Sequence, residues 1–150
     1  MAPATIGRID QARRERREAI VREHVEAENR QDIAATIATF DHPRYEINGE
    51  ESDGEGAVHD LLQDLLTAFP DFHAHEGRVR HADDAVISEG RVTGTHKGAF
   101  AGIPPTGRRV DYPLVAIFVF EEDRLVCETV YFDTATILRQ IGVLPDPGSE

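Results

Sequence analysis

The residue types best suited to chemistry lie on the last predicted strand, where a carboxylate, a phenol and a hydroxyl recur at every second position. Because successive side chains of a strand point to opposite faces, Asp133, Tyr131 and Thr129 share one face. If that face lines an apolar cavity, desolvation raises the pKa of the Asp133 carboxyl toward neutral pH. A general acid/base of this kind accelerates proton transfer by roughly 10²–10⁴-fold. The pattern suits proton transfer to or from a ligand in that cavity.

His96 is a second polar candidate, because it could donate a hydrogen bond to a ligand oxygen from the end of a neighbouring strand. Tyr131 and Tyr45 are further possible donors. A structural interpretation of the two main candidates is also open. Asp133 directly precedes a predicted helix and would be a good N-cap, and His96 could bond the backbone of the turn at Gly102–Gly107.

Several other side chains could reach a cavity. His24 and Glu28 lie four residues apart and share one face of the first predicted helix, and His73 and His75 share one strand face. A metal site needs three converging ligands of these types, and nothing in the spacing forces convergence. We therefore expect no metal. The residues expected to contact a ligand are Tyr131, Thr129, Tyr45, His24, Glu28, His75 and Phe118.

Length and charge restrict the classes of function. The chain has 150 residues, which is enough for a single domain spanning residues 1–150, with its first helix from about residue 10 and a tail from about residue 143. Its formal net charge of −12 repels phosphate backbones and anionic lipid surfaces, so neither nucleic acid nor membrane is an expected partner. The sequence has no export signal and no apolar run of roughly 18 residues. We expect a cytoplasmic protein.

Hydrophobic periodicity predicts four helices and five strands. The helices are predicted at Asp10–Gln31, Ile33–Phe40, Ala57–Phe69 and Thr134–Ile141. The strands are predicted at Tyr45–Asn48, Phe72–His81, Ala85–His96, Val110–Glu121 and Leu125–Asp133, with a mobile loop around Gly49, Gly54 and Gly56. The arginines of the first helix are assigned to its solvated face. Helices followed by strands, without βαβ alternation, predict an α+β fold with a curved antiparallel sheet that ends in a hairpin.

The most specific motif is GTHKG at Gly94–Gly98, followed by GIPPTGRRV at Gly102–Val110 and then by Tyr131-Phe132-Asp133. In this order the chain resembles the SnoaL-like polyketide (ester) cyclases of the NTF2-like superfamily, and the likeness runs from Asn29 to Gly142. The resemblance implies an NTF2-like cone, in which a curved antiparallel sheet wraps around the long N-terminal helix and opens onto a ligand cavity. In the ester cyclases an aspartate on the last strand is the acid/base of an intramolecular aldol ring closure without metal or organic cofactor, and Asp133 matches it.

The resemblance implies an enzyme that acts on a small hydrophobic carbonyl compound, with Asp133 and His96 as catalytic residues and no cofactor. Two alternatives stay open: a hydrolase or isomerase of the same fold, and a non-catalytic module that binds a small molecule or dimerises. Glu28 stands where an aromatic residue is common in such relatives, which argues against a flat polycyclic aromatic substrate. A homodimer packed sheet against sheet is expected from the family and from the two-sided apolar character of Leu114–Phe120.

Overall fold

The computed structural model describes residues 10–148, and the predicted helices and strands are present in it with ends shifted by a few residues. The helices are α1 (Gln11–Asn29), α2 (Ile33–Ala38), α3 (Glu55–Ala68) and α4 (Thr134–Gln140). The strands are β1 (Arg44–Ile47), β2 (Glu50–Asp53), β3 (His73–Ala82), β4 (Ala85–Thr95), β5 (Arg109–Glu121) and β6 (Arg124–Phe132). No helix of residues 10–148 is long and apolar enough to cross a membrane.

The six strands form one curved, open sheet in the order β2-β1-β6-β5-β4-β3. The predicted α+β class and the terminal β5–β6 hairpin are confirmed. The pairing is antiparallel throughout except between β1 and β6, which run parallel. Because β1 comes early in the chain and lies beside the last strand, the sheet joins residues from both ends of the sequence.

Strand β2 corrects the prediction of a mobile loop after β1. It pairs antiparallel with β1 through a tight turn at Asn48 and Gly49, whose φ angles are +48° and +86°. Two consecutive residues with positive φ form the hairpin turn that matches the twist of a sheet, and Asn-Gly is the dipeptide best suited to it. The Asn-Gly signal was therefore present in the sequence and was overlooked.

Two apolar clusters fill the space between the helices and the inner face of the sheet. One cluster surrounds Val21, Phe118 and Leu125, and the other surrounds Phe69, Tyr112 and Ile137. Leu114 and Phe132 pack against both clusters. Helix α1 contacts β3, β4 and β6, so the long N-terminal helix lies against the sheet, as predicted.

Arg17 of α1 is buried, which corrects its assignment to the solvated face. Its Nε and Nη2 donate to the Glu122 carbonyl at 3.0 and 2.8 Å, and its Nη1 donates to the Asp83 carbonyl at 2.8 Å. The guanidinium also lies 5.2 Å from the centre of the Phe120 ring. One side chain of α1 therefore holds together the β3–β4 and β5–β6 turns, which lie far apart in the sequence.

We expect Arg17→Ala to lower the free energy of unfolding by about 2–4 kcal/mol, because it removes a buried side chain and leaves the Asp83 and Glu122 carbonyls without their charged donor. The matched control is Arg16→Ala, which removes an ion pair to Asp123 from a half-exposed side chain. That change should cost less than about 1 kcal/mol. Urea denaturation followed by circular dichroism measures both, and equal losses would show that Arg17 does not hold the turns.

Candidate active site

A cavity of about 320 Å³ lies between the helices and the inner face of the sheet. This volume is at the small end of the range for ligand sites and corresponds to about ten water molecules at ~30 Å³ each. Exposed residues mark its mouth, among them Asp64, His75, Glu76 and Ala101. The apolar part of the wall includes Val25, Leu61, Leu62, Leu65, Phe72, Leu114, Ala116, Phe118, Val130 and Phe132.

Four polar residues meet at the inner end of this cavity, and we call them the His24 cluster: His24, Glu28, Tyr45 and Glu128. His24 Nε2 lies 2.5 Å from Glu28 Oε1 and 2.9 Å from Glu128 Oε2. The Tyr45 hydroxyl lies 3.0 Å from the same nitrogen and 3.3 Å from Glu28 Oε1. His24 is fully buried, whereas Glu28, Tyr45 and Glu128 line the cavity. The cluster therefore presents two carboxylates and a phenol to a ligand.

Local geometry explains why these four side chains converge. His24 and Glu28 are four residues apart on α1, so they lie on the same face of the helix. Glu128 of β6 has two register partners. Tyr45 is its partner in the parallel β1–β6 pair, and Phe118 is its partner in the antiparallel β5–β6 pair. Register partners on neighbouring strands point to the same face of a sheet. Helix α1 and strands β1 and β6 together assemble the cluster.

Thr39 orients the imidazole ring of His24. The Thr39 hydroxyl donates its proton to the Thr36 carbonyl at 2.7 Å, and its oxygen lies 2.7 Å from His24 Nδ1. Because the hydroxyl proton is already used, Thr39 accepts a hydrogen bond from Nδ1–H. This interaction leaves Nε2 to face the two carboxylates.

The protonation states follow from burial and mutual charge. Burial opposes a charge on His24, but the negative charges and hydrogen bonds of Glu28 and Glu128 outweigh it and raise the pKa of His24 to about 10. Burial raises the pKa of Glu128, and repulsion from Glu28 adds to this rise. Burial also raises the pKa of Tyr45 well above its usual value. At neutral pH the cluster thus contains an imidazolium, a protonated phenol, and a Glu128 that binds a proton more readily than an ordinary glutamate.

His24, Glu28 and Glu128 are also the residues that could hold a divalent metal. Their ligand atoms lie within 4.8 Å of one another, and this is the one such group of three in residues 10–148. Imidazole and carboxylates are suitable ligands for several divalent ions. However, the short distances from His24 Nε2 to the two carboxylates are those of hydrogen bonds, so a proton on Nε2 already links the three groups.

Asp133 lies outside the residues that line the cavity, at the N-terminus of α4. Its Oδ1 accepts from the Ala135 amide at 3.2 Å, its Oδ2 accepts from the Thr136 hydroxyl at 2.7 Å, and its side chain is 62% exposed. The hydrogen bond from Thr136 lowers the pKa of Asp133, so the predicted rise is wrong. The side chain meets helix donors and solvent instead of an apolar cavity. These contacts are those of a helix N-cap, which was the structural interpretation of Asp133.

Thr129 and Tyr131 share one face of β6, as predicted, but they are not among the cavity-lining residues. The cavity is lined instead by Glu128, Val130 and Phe132, and Tyr131 is 53% exposed on the outer side. Strand alternation predicts which residues share a face, but a shift of one residue exchanges the inner and outer sets. Glu128 was missed for this reason. The sequence feature that could have identified Glu128 is its place on the same strand face as the apolar residues Val130 and Phe132.

The remaining predicted residues occupy different environments. His96 is buried and is not among the lining residues; its Nδ1 accepts from the Thr106 amide at 3.2 Å, as the turn-bonding interpretation expects. His75 lies at the exposed mouth, 2.9 Å from the Thr93 hydroxyl. Phe118 is buried in the cavity wall. The structure therefore brings Tyr45, His24 and Glu28 together at the inner end of the cavity, and leaves His96 apart from them.

The SnoaL-like polyketide cyclase family model matches residues 18–141. This chain belongs to that family. It is 29% identical to AclR, a hydroxylase candidate from Streptomyces galilaeus, with a TM-score of 0.78 over 90% of this chain and 86% of that chain.

Two further structural neighbours, both less than 25% identical to this chain, support the fold alone. A SnoaL-like polyketide cyclase candidate from Jannaschia sp. CCS1 is 19% identical, with a TM-score of 0.82 over 93% of this chain and 100% of that chain. IdmH, a polyketide cyclase candidate from Streptomyces antibioticus, is 22% identical, with a TM-score of 0.71 over 85% of this chain and 99% of that chain. No curated protein sequence matches this chain at a significant level.

The shared proton of His24 should make stability depend on pH. The folded pKa of about 10 lies above the ordinary value of 6.5, so the folded state binds this proton more tightly. The resulting stabilisation is complete below about pH 6.5 and is lost as pH rises through about 10. We expect the urea midpoint to fall between about pH 7 and 10, and to fall less in His24→Gln.

The matched control is His59→Gln, because His59 is half exposed and lies away from the cluster. This variant should keep the pH dependence of the parent protein. Urea titrations at several pH values measure the three proteins, and identical slopes for all of them would show that His24 does not carry the linked proton.

Proposed function

We propose that this protein is an acid/base enzyme of the polyketide cyclase type, with Glu128 as the pocket carboxylate that handles the proton. The observation that carries the proposal is the His24 cluster at the inner end of a mostly apolar cavity. Buried ionisable groups with shifted pKa values in a cavity are typical of active sites. Membership of the SnoaL-like family supports the same class of reaction. The substrate in this proposal is a small hydrophobic carbonyl compound.

Glu128 can carry both proton transfers of an intramolecular aldol closure. As a carboxylate it removes a proton from the carbon next to the substrate carbonyl, and the C–H bonding electrons form an enolate. The enolate carbon attacks a second carbonyl of the same molecule, forming a C–C bond and an alkoxide. The alkoxide takes the proton back from Glu128, which is again a carboxylate. A raised pKa suits this cycle, since the group must both accept and release the proton.

Tyr45 and His24 support Glu128 in this proposal. The Tyr45 phenol lines the cavity and stays protonated. Its O–H donates to Glu28 Oε1 at 3.3 Å, and in this proposal it turns to the enolate oxygen when the enolate forms. The imidazolium of His24 holds Glu28 and Glu128 in place and balances part of their charge. Each proton transfer thus has a side chain to carry it, and we propose that the reaction uses no metal or organic cofactor.

The hydrolase alternative needs an Asp-Arg-Asp set inside the cavity. Arg91 is half exposed at the mouth and bonds Asp111 at 2.7 Å on the outer side of the sheet. Asp133 caps α4 instead. Because these three residues do not converge, the geometry favours the cyclase-type acid/base over this alternative. A module that binds a small molecule without turnover is the remaining alternative, and the experiment below separates the two.

We expect the protein to catalyse exchange of the α-protons of 2-tetralone, a bicyclic ketone, in D2O. This exchange reports the first proton transfer without requiring the native substrate. Glu128→Gln should reduce the enzyme-dependent exchange rate by at least about 100-fold, because the amide cannot accept the proton. Proton NMR measures the rate. Glu128→Asp, which keeps a carboxylate, provides a second test if the glutamine variant does not fold.

Asp133→Asn is the matched control, since it alters a carboxylate outside the cavity lining. It should retain the exchange rate and lose only part of the helix cap. Loss of exchange in this variant, with exchange retained in Glu128→Gln, would assign the chemistry to Asp133. Binding of 2-tetralone without any exchange would instead favour a non-catalytic module.

We also propose that the protein forms a homodimer through the outer face of the sheet. Val115 and Ile117 are register partners of Tyr131 and Thr129, so these four residues share the outer face. Tyr131 is largely exposed, and the apolar strip formed by Val115 and Ile117 is only partly covered. An exposed apolar strip of this kind on a soluble domain is typical of an interaction surface.

Light scattering at micromolar concentration should therefore give twice the mass of one chain. Ile117→Glu should shift the mass to that of a monomer, because it places a charge at the centre of the outer apolar strip. The matched control is Val79→Glu, which adds the same charge to an exposed valine on the edge strand β3 and should leave the dimer intact. A monomeric parent protein would refute the proposed dimer.

A further inference from the structure

The segment from Gly94 to Val110 contains the most specific motif of the sequence, and its middle part lines the cavity. Ala99, Phe100 and Ala101 belong to the cavity wall. Ala99 and Ala101 are exposed, and Phe100 between them is partly buried. Phe100 therefore lies where the cavity meets solvent. The proposed proton transfer uses none of these three residues, so their place in the wall needs a separate explanation.

His96 joins the two ends of this segment. Its amide donates to the Arg108 carbonyl at 2.8 Å, and its carbonyl accepts from the Gly107 amide at 2.8 Å. Its Nδ1 accepts from the Thr106 amide at 3.2 Å. The chain therefore leaves and re-enters the sheet at one fixed point, and residues 97–105 form a loop from it.

The first residues of the loop are fixed to the end of α3. The amides of Lys97 and Gly98 donate to the carbonyl of Ala68, the last residue of α3, at 3.0 and 3.2 Å. A Cβ atom at Gly98 would collide with the Thr67 carbonyl, so glycine is required for this close approach. The base of the loop is thus held from two sides, by the sheet and by a helix.

Beyond this base the chain makes a small hairpin, residues 100–103, which we call the mouth hairpin. Phe100 and Ile103 exchange both backbone hydrogen bonds, at 3.1 and 2.8 Å. Within residues 10–148, no hydrogen bond joins residues 99–105 to another part of the chain. The Phe100 ring packs against Phe69 with the centroids 5.5 Å apart. Side-chain packing alone therefore holds the mouth hairpin beside the cavity.

The turn of the mouth hairpin contains a strained residue. Ala101 and Gly102 have φ angles of +49° and +77°. Two-residue turns with positive φ at both positions normally begin with Asn, Asp or Gly, and alanine is uncommon in this region. Backbone strain of this kind is concentrated at functional sites. Here the strained residue is itself part of the cavity wall, next to Phe100.

We propose that the Phe100 ring limits the length of the ligand that the cavity accepts, so that Phe100 determines specificity. With the ring in place the cavity of about 320 Å³ has room for a bicyclic ketone. A ligand with a further ring must push the Phe100 ring aside and lose its packing on Phe69. The entry of the ligand with its carbonyl toward the His24 cluster rests on the proposed function. The size limit requires only that a ligand binds.

Two ketones with the same bicyclic core test this limit: 2-tetralone, and 6-benzyloxy-2-tetralone, which has an added aromatic ring at the end opposite the carbonyl. In the parent protein the longer ketone should bind at least about 10-fold more weakly than 2-tetralone. In Phe100→Ala the ratio of the two Kd values should fall by at least about 10-fold, because the added ring takes the space of the Phe100 ring and is buried there. NMR titration of the labelled protein measures each Kd.

The matched control is Ile103→Ala, which removes apolar bulk from the same hairpin but from a residue outside the cavity lining. This variant should keep the ratio of the parent protein. An equal fall in both variants would assign the limit to the hairpin as a whole and overturn the role of the Phe100 ring. Phe100→Leu, which should give an intermediate ratio, provides the test if circular dichroism shows that Phe100→Ala does not fold.

Equal Kd values for the two ketones in the parent protein would also overturn the size limit, and so would the absence of binding of either ketone at millimolar concentration. Failure of the proposed function is distinguishable from these results. It would appear as absent exchange of the 2-tetralone α-protons, with the Kd ratio still dependent on Phe100.

Discussion

The structure depends most on a charged imidazole that is completely buried. A buried imidazolium is stable only when opposite charges and hydrogen bonds replace the water that it has lost. Glu28 and Glu128 supply the charges, and Thr39 binds the other ring nitrogen. These partners come from α1, β6 and the end of α2, so the position of each element is constrained by one side chain. The same requirement brings two carboxylates to the inner end of an apolar cavity.

This arrangement also shows how the domain divides stability and function among its residues. Arg17 satisfies the carbonyls of the β3–β4 and β5–β6 turns, and the side chains of Asp10, Asp32 and Asp133 cap α1, α2 and α4. Inside the cavity, by contrast, Glu128 is buried beside a second carboxylate, and burial together with repulsion from Glu28 raises its pKa. A pre-organised site requires polar side chains that the surrounding packing and hydrogen bonds hold in place.

Much of the fold was predictable because it depends on local patterns. The apolar spacing of α1 and α3 and the alternation of β5 and β6 follow from helix and strand periods, and the sheet class follows from element order. Strand β2 was also accessible through the Asn-Gly turn signal. His24 and Glu28 could be grouped from their spacing alone. The parallel β1–β6 contact has no local signal, since it joins segments about eighty residues apart and is stabilised only in the folded sheet.

The sequence by itself determined which residues share a face: His24 with Glu28, Thr129 with Tyr131, and Glu128 with Val130. It also determined that Asp133 stands where a helix begins, which is sufficient to make an N-cap. Only the tertiary structure decided which strand face is inside. Alternation along a strand separates its residues into two faces, but it does not tell which face the helices will cover. That packing turned Glu128 inward and placed it beside His24, so the carboxylate that we propose as the acid/base is a glutamate five residues before the predicted aspartate.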